Sequence, residues 1–329
     1  MTDPLVSVVI PLYNESRVLP ELCRRLHTAL APLGEYEVIL VDDGSADDTW
    51  ARIAAEHALR PQVKAVRLAR NFGHQVALSA ALDVARGVVT VMMDGDLQDP
   101  PELIPEMVAK WREGFDVVYA VKRRRQESWP RRAAFRGFHA LLHRVADIDV
   151  PEGAGNFSLM SRRVVDVLRA MPERVRYLSG LRAWVGFRQG GVTFDRDPRY
   201  DDAPRMGLGR LVRLAGDAIF GFSRLPLRLA LYAGITVSLT SLGVVVWVLY
   251  QRLFTTNAIT GWASTLISIL FIGGTILVTL AVIGEYVGRI YDEVKQRPLY
   301  VVSGVLGVPG DAAANGERLR TATLVADRR

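Results

Sequence analysis

The sequence predicts an α/β protein in which a mainly parallel sheet, covered by helices on both faces, is followed by a two-helix transmembrane hairpin. Three observations carry this expectation. Short β-branched apolar runs alternate with longer helical patterns along the N-terminal part, each run ends in a cluster of polar residues, and two long uncharged stretches follow near the C-terminus.

The chain has 329 residues, 50% of them hydrophobic and 23% charged. That mix is too apolar for a disordered chain and too charged for a polytopic channel, and the length suits one large domain or two modest ones with a real core. The mean hydropathy of +0.15 is high for a soluble protein because the apolar residues are concentrated in one region.

Buried strands are expected at 6–11 (VSVVIP), 36–41 (YEVILV), 63–68, 88–93 and 116–121, with helical patterns between them, including 18–30 and 75–85. In such sheets ligands bind beyond the carboxyl ends of the strands, so the residues just after each run are where chemistry is sought. The first run is followed by Tyr13-Asn14-Glu15 and the second by Asp42-Asp43-Gly44-Ser45-Ala46-Asp47. After the third comes Arg70-Asn71, and after the fourth Asp94-Gly95-Asp96-Leu97-Gln98-Asp99. Asp and Asn also cap helices and make turns, so Asp47 is expected as a helix cap and Asn14 as a turn residue. That explanation is weaker for Asp94 and Asp96. Two carboxylates one residue apart repel unless a cation sits between them, and hard oxygen ligands select Mg²⁺ or Mn²⁺.

Neither a GxxxxGK[ST] nor a GxGxxG loop follows the first strand, so a nucleotide would have to be held through a metal. A divalent ion on Asp94 and Asp96 could bridge a diphosphate and stabilise its departure, which describes sugar transfer from a nucleotide sugar. The five histidines, His27, His57, His74, His139 and His143, form no HExxH pair and argue against zinc. Gly44-Ser45 has no nucleophile-elbow context. Cys23 is the single cysteine, which excludes an intrachain disulfide.

No charged residue lies between Arg228 and Arg252, nor between Arg252 and Glu285, so spans are expected at 229–251 and 262–284. A pair of buried core helices would share this composition, but two such runs joined by a short polar turn favour a membrane hairpin. Arg224 and Arg228 precede it and Arg289, Lys295 and Arg297 follow, with only Arg252 in the connecting loop, which puts both termini in the cytoplasm. The opening MTDPLVSVVIPLYNE is acidic and too short in its apolar run for a secretory signal, so residues 1–205 are expected to be a cytosolic catalytic domain. The net charge of +6 suits an anionic leaflet and phosphorylated ligands better than nucleic acid, which is not expected as a partner.

Basic amphipathic patterns at 131–145, and within the juxtamembrane stretch 206–228, are expected to lie in the membrane interface. Ordinary surface helices would show the same pattern. Residues 285–302 are expected as a cytosolic juxtamembrane segment, and 303–329, rich in Gly, Ala and Arg, as a disordered tail.

The ordered motifs VVIPLYNE, VDDGSADDT, RNFG and DGDLQDPPE resemble those of the inverting family 2 glycosyltransferases of GT-A (Rossmann-like) fold. With the hairpin and the segment GEYVGRIYDEVKQRPLY, the chain more narrowly resembles the polyprenyl-phosphate glycosyltransferases, in the bacterial subgroup with two C-terminal transmembrane helices. The resemblance covers residues 6–300.

It implies that Pro11, Tyr13 and Glu15 line the base and ribose pocket, with Asn71 on the same nucleotide-sugar side, and that Asp43 contacts the base or ribose while Asp42 is structural. It further implies that Asp94 meets the sugar and ribose, Asp96 holds the metal with Asp94 beside it, and Gln98 positions that group. Arg123, Arg125 and Arg136 would clamp the acceptor phosphate, a task suited to the planar guanidinium fork; a solvated charge run is the alternative.

Many relatives carry Asp-Phe-Arg-Leu where this chain has Asn156-Phe157-Ser158-Leu159. Asn156, a candidate acceptor-side residue, cannot take a proton, so a general base is either another carboxylate, such as Asp149 or Glu152, or absent. Absence is favoured because a phosphate monoester with a second pKa near about 6 is largely dianionic at neutral pH. The absence of the arginine at Ser158 bears on donor or acceptor preference.

The expected activity is transfer of one sugar from a UDP- or GDP-linked donor to polyprenyl phosphate at the cytoplasmic membrane of a bacterium, by a homo-oligomer. A processive polysaccharide synthase would carry a QxxRW sequence and more spans, and neither is found. A catalytically idle membrane scaffold or lipid-sugar carrier of the same fold is the other alternative.

Overall fold

The computed structural model describes residues 4–122, 154–174, 176–194, 225–254 and 262–308. They fall in two compact units, one holding the sheet together with the chain after Arg297, the other holding two long helices.

The described part of the sheet has eight strands: β1 (Val6–Leu12), β2 (Tyr36–Asp42), β3 (Val63–Leu68), β4 (Val89–Met92), β5 (Val117–Lys122), β6 (Ala154–Ser161), β7 (Gln189–Phe194) and β8 (Val302–Leu306). Their order is β7-β5-β6-β4-β1-β2-β3-β8. The first four strands carry the expected parallel core: β1 lies between β2 and β4, with Val6 opposite both Tyr36 and Val89. β1 is buried along its whole length, as a strand covered on both faces must be.

The expected mainly parallel sheet is corrected to a mixed one. Four strand pairs are parallel, but β4 with β6, β5 with β6 and β3 with β8 run antiparallel. The added strands, AGNFSLMS, QGGVTF and VSGVL, are glycine- and serine-rich and lack the β-branched runs that marked the others. Tertiary contact decides them. In β7, a Cβ at Gly190 would sit 2.7 Å from the Phe115 ring, so the strand reaches its place only with glycine there.

Among the described residues the helices around the sheet are α1 (Leu19–Leu30), α2 (Thr49–Leu59), α3 (His74–Val84), α4 (Ile104–Arg112), α5 (Arg162–Ala170) and α6 (Leu178–Trp184). α1 buries Leu19, Leu22, Cys23, Leu26 and Leu30, the i, i+3, i+4, i+7 stripe of a helix facing a core. α3 is lined by Ala77, Ser79, Ala80 and Ala81, all buried, whose small side chains let it lie close to the strands.

At the N-terminal edge of the sheet the buried carboxylate of Glu37 accepts from the Ser7 hydroxyl, the Arg86 amide (2.7 Å) and the Lys64 ammonium. Its charge is therefore fully compensated.

β8 closes the opposite sheet edge against β3, with Leu68 opposite Val302. Ahead of it Tyr300 is 1% exposed and donates its hydroxyl to Asp83 at 2.8 Å. The tail expected to be disordered from residue 303 is thus ordered through Leu306; ladder hydrogen bonds and one buried ring hold it, neither of which leaves a hydrophobic period in the sequence. Residues 309–329 lie outside the described residues.

The second unit contains α7 (Leu225–Phe254) and α8 (Trp262–Val294). They contain the stretches 229–251 and 262–284 expected as spans, but only one segment among the described residues, Phe271–Val294, is long and apolar enough to cross a membrane. α8 continues through part of the expected juxtamembrane segment 285–302, supported by an Arg289–Glu285 pair one turn apart at 2.9 Å. Segment 131–145 and most of 206–228 lie outside the described residues.

Burial pushes the Cys23 thiol up to about 12, with Glu56 adding to the rise and Arg60 opposing it. The native protein is expected to show no reaction with Ellman's reagent at pH 8 and one equivalent after denaturation, read at 412 nm as a thiol titration.

Candidate active site

The strand order turns back at β1: β2 and β3 lie on one side of it and β4 on the other. Beyond the carboxyl ends of β1 and β4 is therefore a topological switch point, where an open α/β sheet leaves a crevice. Tyr13 follows β1 directly and is exposed, while Asp94 lies two residues past the end of β4 with its side chain 43% exposed.

The loops around this crevice are stitched to one another. The Asn14 amide donates to Ser45 Oγ at 2.9 Å, and Asn14 Oδ1 accepts from the Ala46 amide at 2.9 Å. The Glu15 amide donates to Thr49 Oγ1 at 3.0 Å. The cap position of α2 is Asp48 and not the expected Asp47, because the helix begins one residue later; Asp47 accepts from the Thr49 amide at 3.1 Å, satisfying a donor at the start of α2. Asn14 makes its turn with φ 55°, a left-handed backbone that Asn tolerates better than most residues.

Asp42 is fully buried, accepts from the Ser45 amide at 2.9 Å and lies 3.3 Å from the Arg67 guanidinium. Asp43 is 3% exposed, and its two oxygens accept the Phe72 amide at 2.7 Å and the Gly73 amide at 3.0 Å. Burial raises the Asp43 pKa above the usual carboxylate value, the two amides oppose that rise, and the neighbouring Asp42 adds to it. In this structure the Asp43 carboxylate is engaged in holding the β3–α3 turn. Gly44 makes the same junction tight. With φ +67° it packs so closely that a Cβ would fall 2.4 Å from the Arg70 carbonyl carbon.

That turn delivers His74, the first residue of α3, to the end of β4, where its Nε2 lies 3.0 Å from Asp94 Oδ1. Desolvation works against the protonated ring, but the hydrogen bond to Asp94 and the charges of Asp94, Asp43 and Asp96 outweigh it, so the pKa of His74 is raised.

Past Asp94, Asp96 Oδ1 accepts from the Gln98 amide at 3.2 Å, and Asp99 accepts from the Asp94 amide at 3.2 Å. Leu97 between them has φ 60°, a strained conformation for a branched side chain. Gln98 is buried, and its Oε1 has no partner among the described residues.

On the other side of β4, Met92 stands opposite Ser158 in β6, which places Asn156 beyond the same strand end. Asn156 Oδ1 accepts from Ser179 Oγ at 2.9 Å and Gln75 Nε2 at 3.4 Å, while Gln75 Oε1 accepts from the Leu178 amide at 2.9 Å. Nearby, Arg182 is fully buried and donates to the Gly155 carbonyl at 3.1 Å. Burial pulls its pKa down to about 10, which leaves it charged at neutral pH.

Residues 7–169 match the family model described as Glycosyl transferase family 2. The chain is 45% identical over 305 residues to an uncharacterized glycosyltransferase of Synechocystis sp., covering 92% of this chain and 96% of that one. The chain belongs to glycosyl transferase family 2. A second relative of this glycosyltransferase, an uncharacterized glycosyltransferase of Bacillus subtilis, is 44% identical over 305 residues, with 92% and 94% of the two chains covered. A bactoprenol glucosyl transferase of Shigella phage SfII is 36% identical over 300 residues, covering 90% of this chain and 97% of that one.

In this family 2 glycosyltransferase Tyr13 follows β1 and Asp94, Asp96 and Gln98 follow its neighbour β4, with the buried Pro11 near the end of β1 and Glu15 and Asn71 in the flanking loops. Asn156 joins from β6. Arg123, Arg125 and Arg136 lie outside the described residues, as do Asp149 and Glu152. Sequence reasoning missed His74, Gln75 and Ser179. The rule that led to the strand ends would have reached His74 had it been extended past Arg70-Asn71 to the first helical residue.

Asp43→Ala is expected to lose about 2–3 kcal/mol of stability, because two amides lose a charged acceptor. Asp43→Asn, which keeps one carbonyl acceptor, is expected to lose roughly half as much, and urea unfolding in detergent followed by tryptophan fluorescence measures both.

Proposed function

We infer that this glycosyltransferase moves one sugar from a UDP- or GDP-linked donor to a polyprenyl phosphate, with inversion at the anomeric carbon, at the cytoplasmic face of a bacterial membrane. The observation that carries the reading is the position of Asp94, Asp96 and Gln98 just past the end of β4, at the switch point between β1 and β4. The relative named bactoprenol glucosyl transferase supports the lipid acceptor and puts glucose first among sugars to try.

In this reading Pro11, Tyr13, Glu15 and Asn71 line the pocket for base and ribose. Asp43 shapes that pocket through the turn it holds. Asp94 faces the sugar and ribose, Asp96 holds a divalent metal with Asp94 beside it, and Gln98 positions the diphosphate. Among the described residues no group of three or more His, Cys, Asp or Glu side chains forms a metal cage. Two carboxylates and the unsatisfied Gln98 Oε1 nonetheless suit Mg²⁺ or Mn²⁺, which take much of their coordination from water and substrate phosphates. The bound ion supplies charge neutralisation to the departing nucleoside diphosphate.

Arg123, Arg125 and Arg136 align the lipid phosphate for in-line attack, with Asn156 on that side. The dianionic acceptor needs no general base, so positioning and leaving-group stabilisation carry the rate. Asn156, whose Oδ1 already accepts two hydrogen bonds, is consistent with a structural acceptor-side role.

Many large apolar side chains on both long helices are exposed, including Leu231, Ile235, Leu239 and Val246 of α7 and Phe271, Leu277, Val278 and Leu280 of α8. Apolar surface of that extent supports lipid contact along both, hence a two-span hairpin with cytosolic termini. The same helices offer a surface for homo-oligomer formation.

Purified protein with undecaprenyl phosphate, MnCl₂ or MgCl₂ and radiolabelled UDP-glucose, UDP-galactose or GDP-mannose is expected to move label into solvent-extractable lipid from one donor. EDTA abolishes the transfer, and Asp96→Asn lowers it at least about a hundredfold, the loss of a Lewis-acid contact worth several kcal/mol. No label from any donor, with the fold intact, overturns the transferase reading in favour of the idle scaffold.

A further inference from the structure

We propose that His74 is a positioning residue of the donor site: its ring fixes the Asp94 carboxylate and is itself backed by Gln75, which is anchored to Asn156 and the Leu178 amide. The inference deepens the reading above and rests on Asp94 acting on the donor.

His74 is not placed by chance. The Asp43 carboxylate holds the Phe72 and Gly73 amides at 2.7 and 3.0 Å, which fixes the residue immediately before α3. Gly73, at φ +99°, turns the chain in a region that side-chain-bearing residues rarely adopt. The first helical side chain is thereby set against the end of β4, with Nε2 3.0 Å from Asp94 Oδ1. A carboxylate oxygen only accepts, so this hydrogen bond assigns the ring proton to Nε2. Nδ1 is then turned to the Gln75 amide, 3.5 Å away. The same amide nitrogen lies 3.4 Å from Asn156 Oδ1, and Gln75 is itself held by the Leu178 amide at 2.9 Å.

A chain of polar contacts thus runs from Asp94 at the end of β4, through the first two residues of α3, to Asn156 in β6 and Ser179 in α6. A carboxylate with one oxygen so held has its plane set before substrate arrives. That removes a rotamer search from the bound state, as in the outer-shell partners that orient ligating groups. Asp96, two residues on, is held by a different contact, to the Gln98 amide.

The test compares His74→Ala, His74→Gln, His74→Phe and Asp94→Asn in the lipid-transfer assay, using whichever of the three radiolabelled donors is active, with thermal unfolding recorded for each. His74→Ala and His74→Phe are expected to lower kcat/KM for the donor by about 10–100-fold, the usual cost of losing such a partner. KM for undecaprenyl phosphate stays unchanged. His74→Gln, whose amide N–H replaces the Nε2 donor, restores most of the activity. A packing role at the helix start gives the reverse order, with Phe active and Gln impaired, and overturns the proposal. Asp94→Asn inactive beside a fully active His74→Ala overturns the proposal and spares the reading of the site. Asp94→Asn as active as the parent protein overturns both. Should no donor turn over, titration calorimetry with UDP and GDP in MnCl₂ replaces the assay: weaker binding in the Ala and Phe variants than in the Gln variant supports the role, and equal binding refutes it.

Discussion

The arrangement of the crevice depends on one buried carboxylate. Asp43 sits at the end of β2, yet what it organises is the next loop, because its two oxygens accept the successive amides of Phe72 and Gly73. A carboxylate buried to this degree is costly unless hydrogen-bonded, and two backbone donors are the least mobile partners a chain can offer. The consequence spreads sideways along the sheet. With the β3–α3 turn held, α3 starts where its first two side chains reach β4 and β6, and three strand ends that are far apart in sequence become one surface.

The two ends of the sheet treat polar groups differently. At the N-terminal edge the Glu37 carboxylate meets a hydroxyl, an amide and an ammonium, so a buried charge is left with its demands met. At the C-terminal edge Asn14 and Leu97 occupy left-handed backbone and Gln98 retains a buried oxygen without a partner among the described residues. Left-handed backbone at Asn14 and Leu97, beside the unmet oxygen of Gln98, gathers local strain at the edge where the polar loops meet.

What the sequence disclosed follows the same physics. The parallel core was legible because strands buried on both faces need long apolar runs, which 6–11 and 36–41 supply with one polar residue each, while 63–68 keeps apolar residues at four of its six positions around Lys64 and Arg67. The polar strand ends were legible because their carboxylates cannot be explained as packing. β6, β7 and β8 were not, since their place is set by a neighbour's ladder and by glycines that admit close contact, as at Gly190 against Phe115. Nor was the inward use of Asp43, because a side chain aimed at a ligand and one aimed at a backbone amide look identical in one dimension. His74 was passed over for a similar reason: a histidine's role is decided by which acceptor the fold brings to it.

Strand β8 bears on how the catalytic unit is isolated. β8 is joined to the rest of the sheet only through the residues that follow α8, yet it covers the edge of β3 and brings in the buried Tyr300. A soluble fragment cut before the first long helix would strip that hem from the sheet, exposing a row of unpaired backbone donors and acceptors along β3 that invites strand addition by a second molecule. A well-behaved fragment instead needs the two long helices excised internally and residues 297–308 rejoined to the catalytic part, so that the sheet keeps the edge with which it folds.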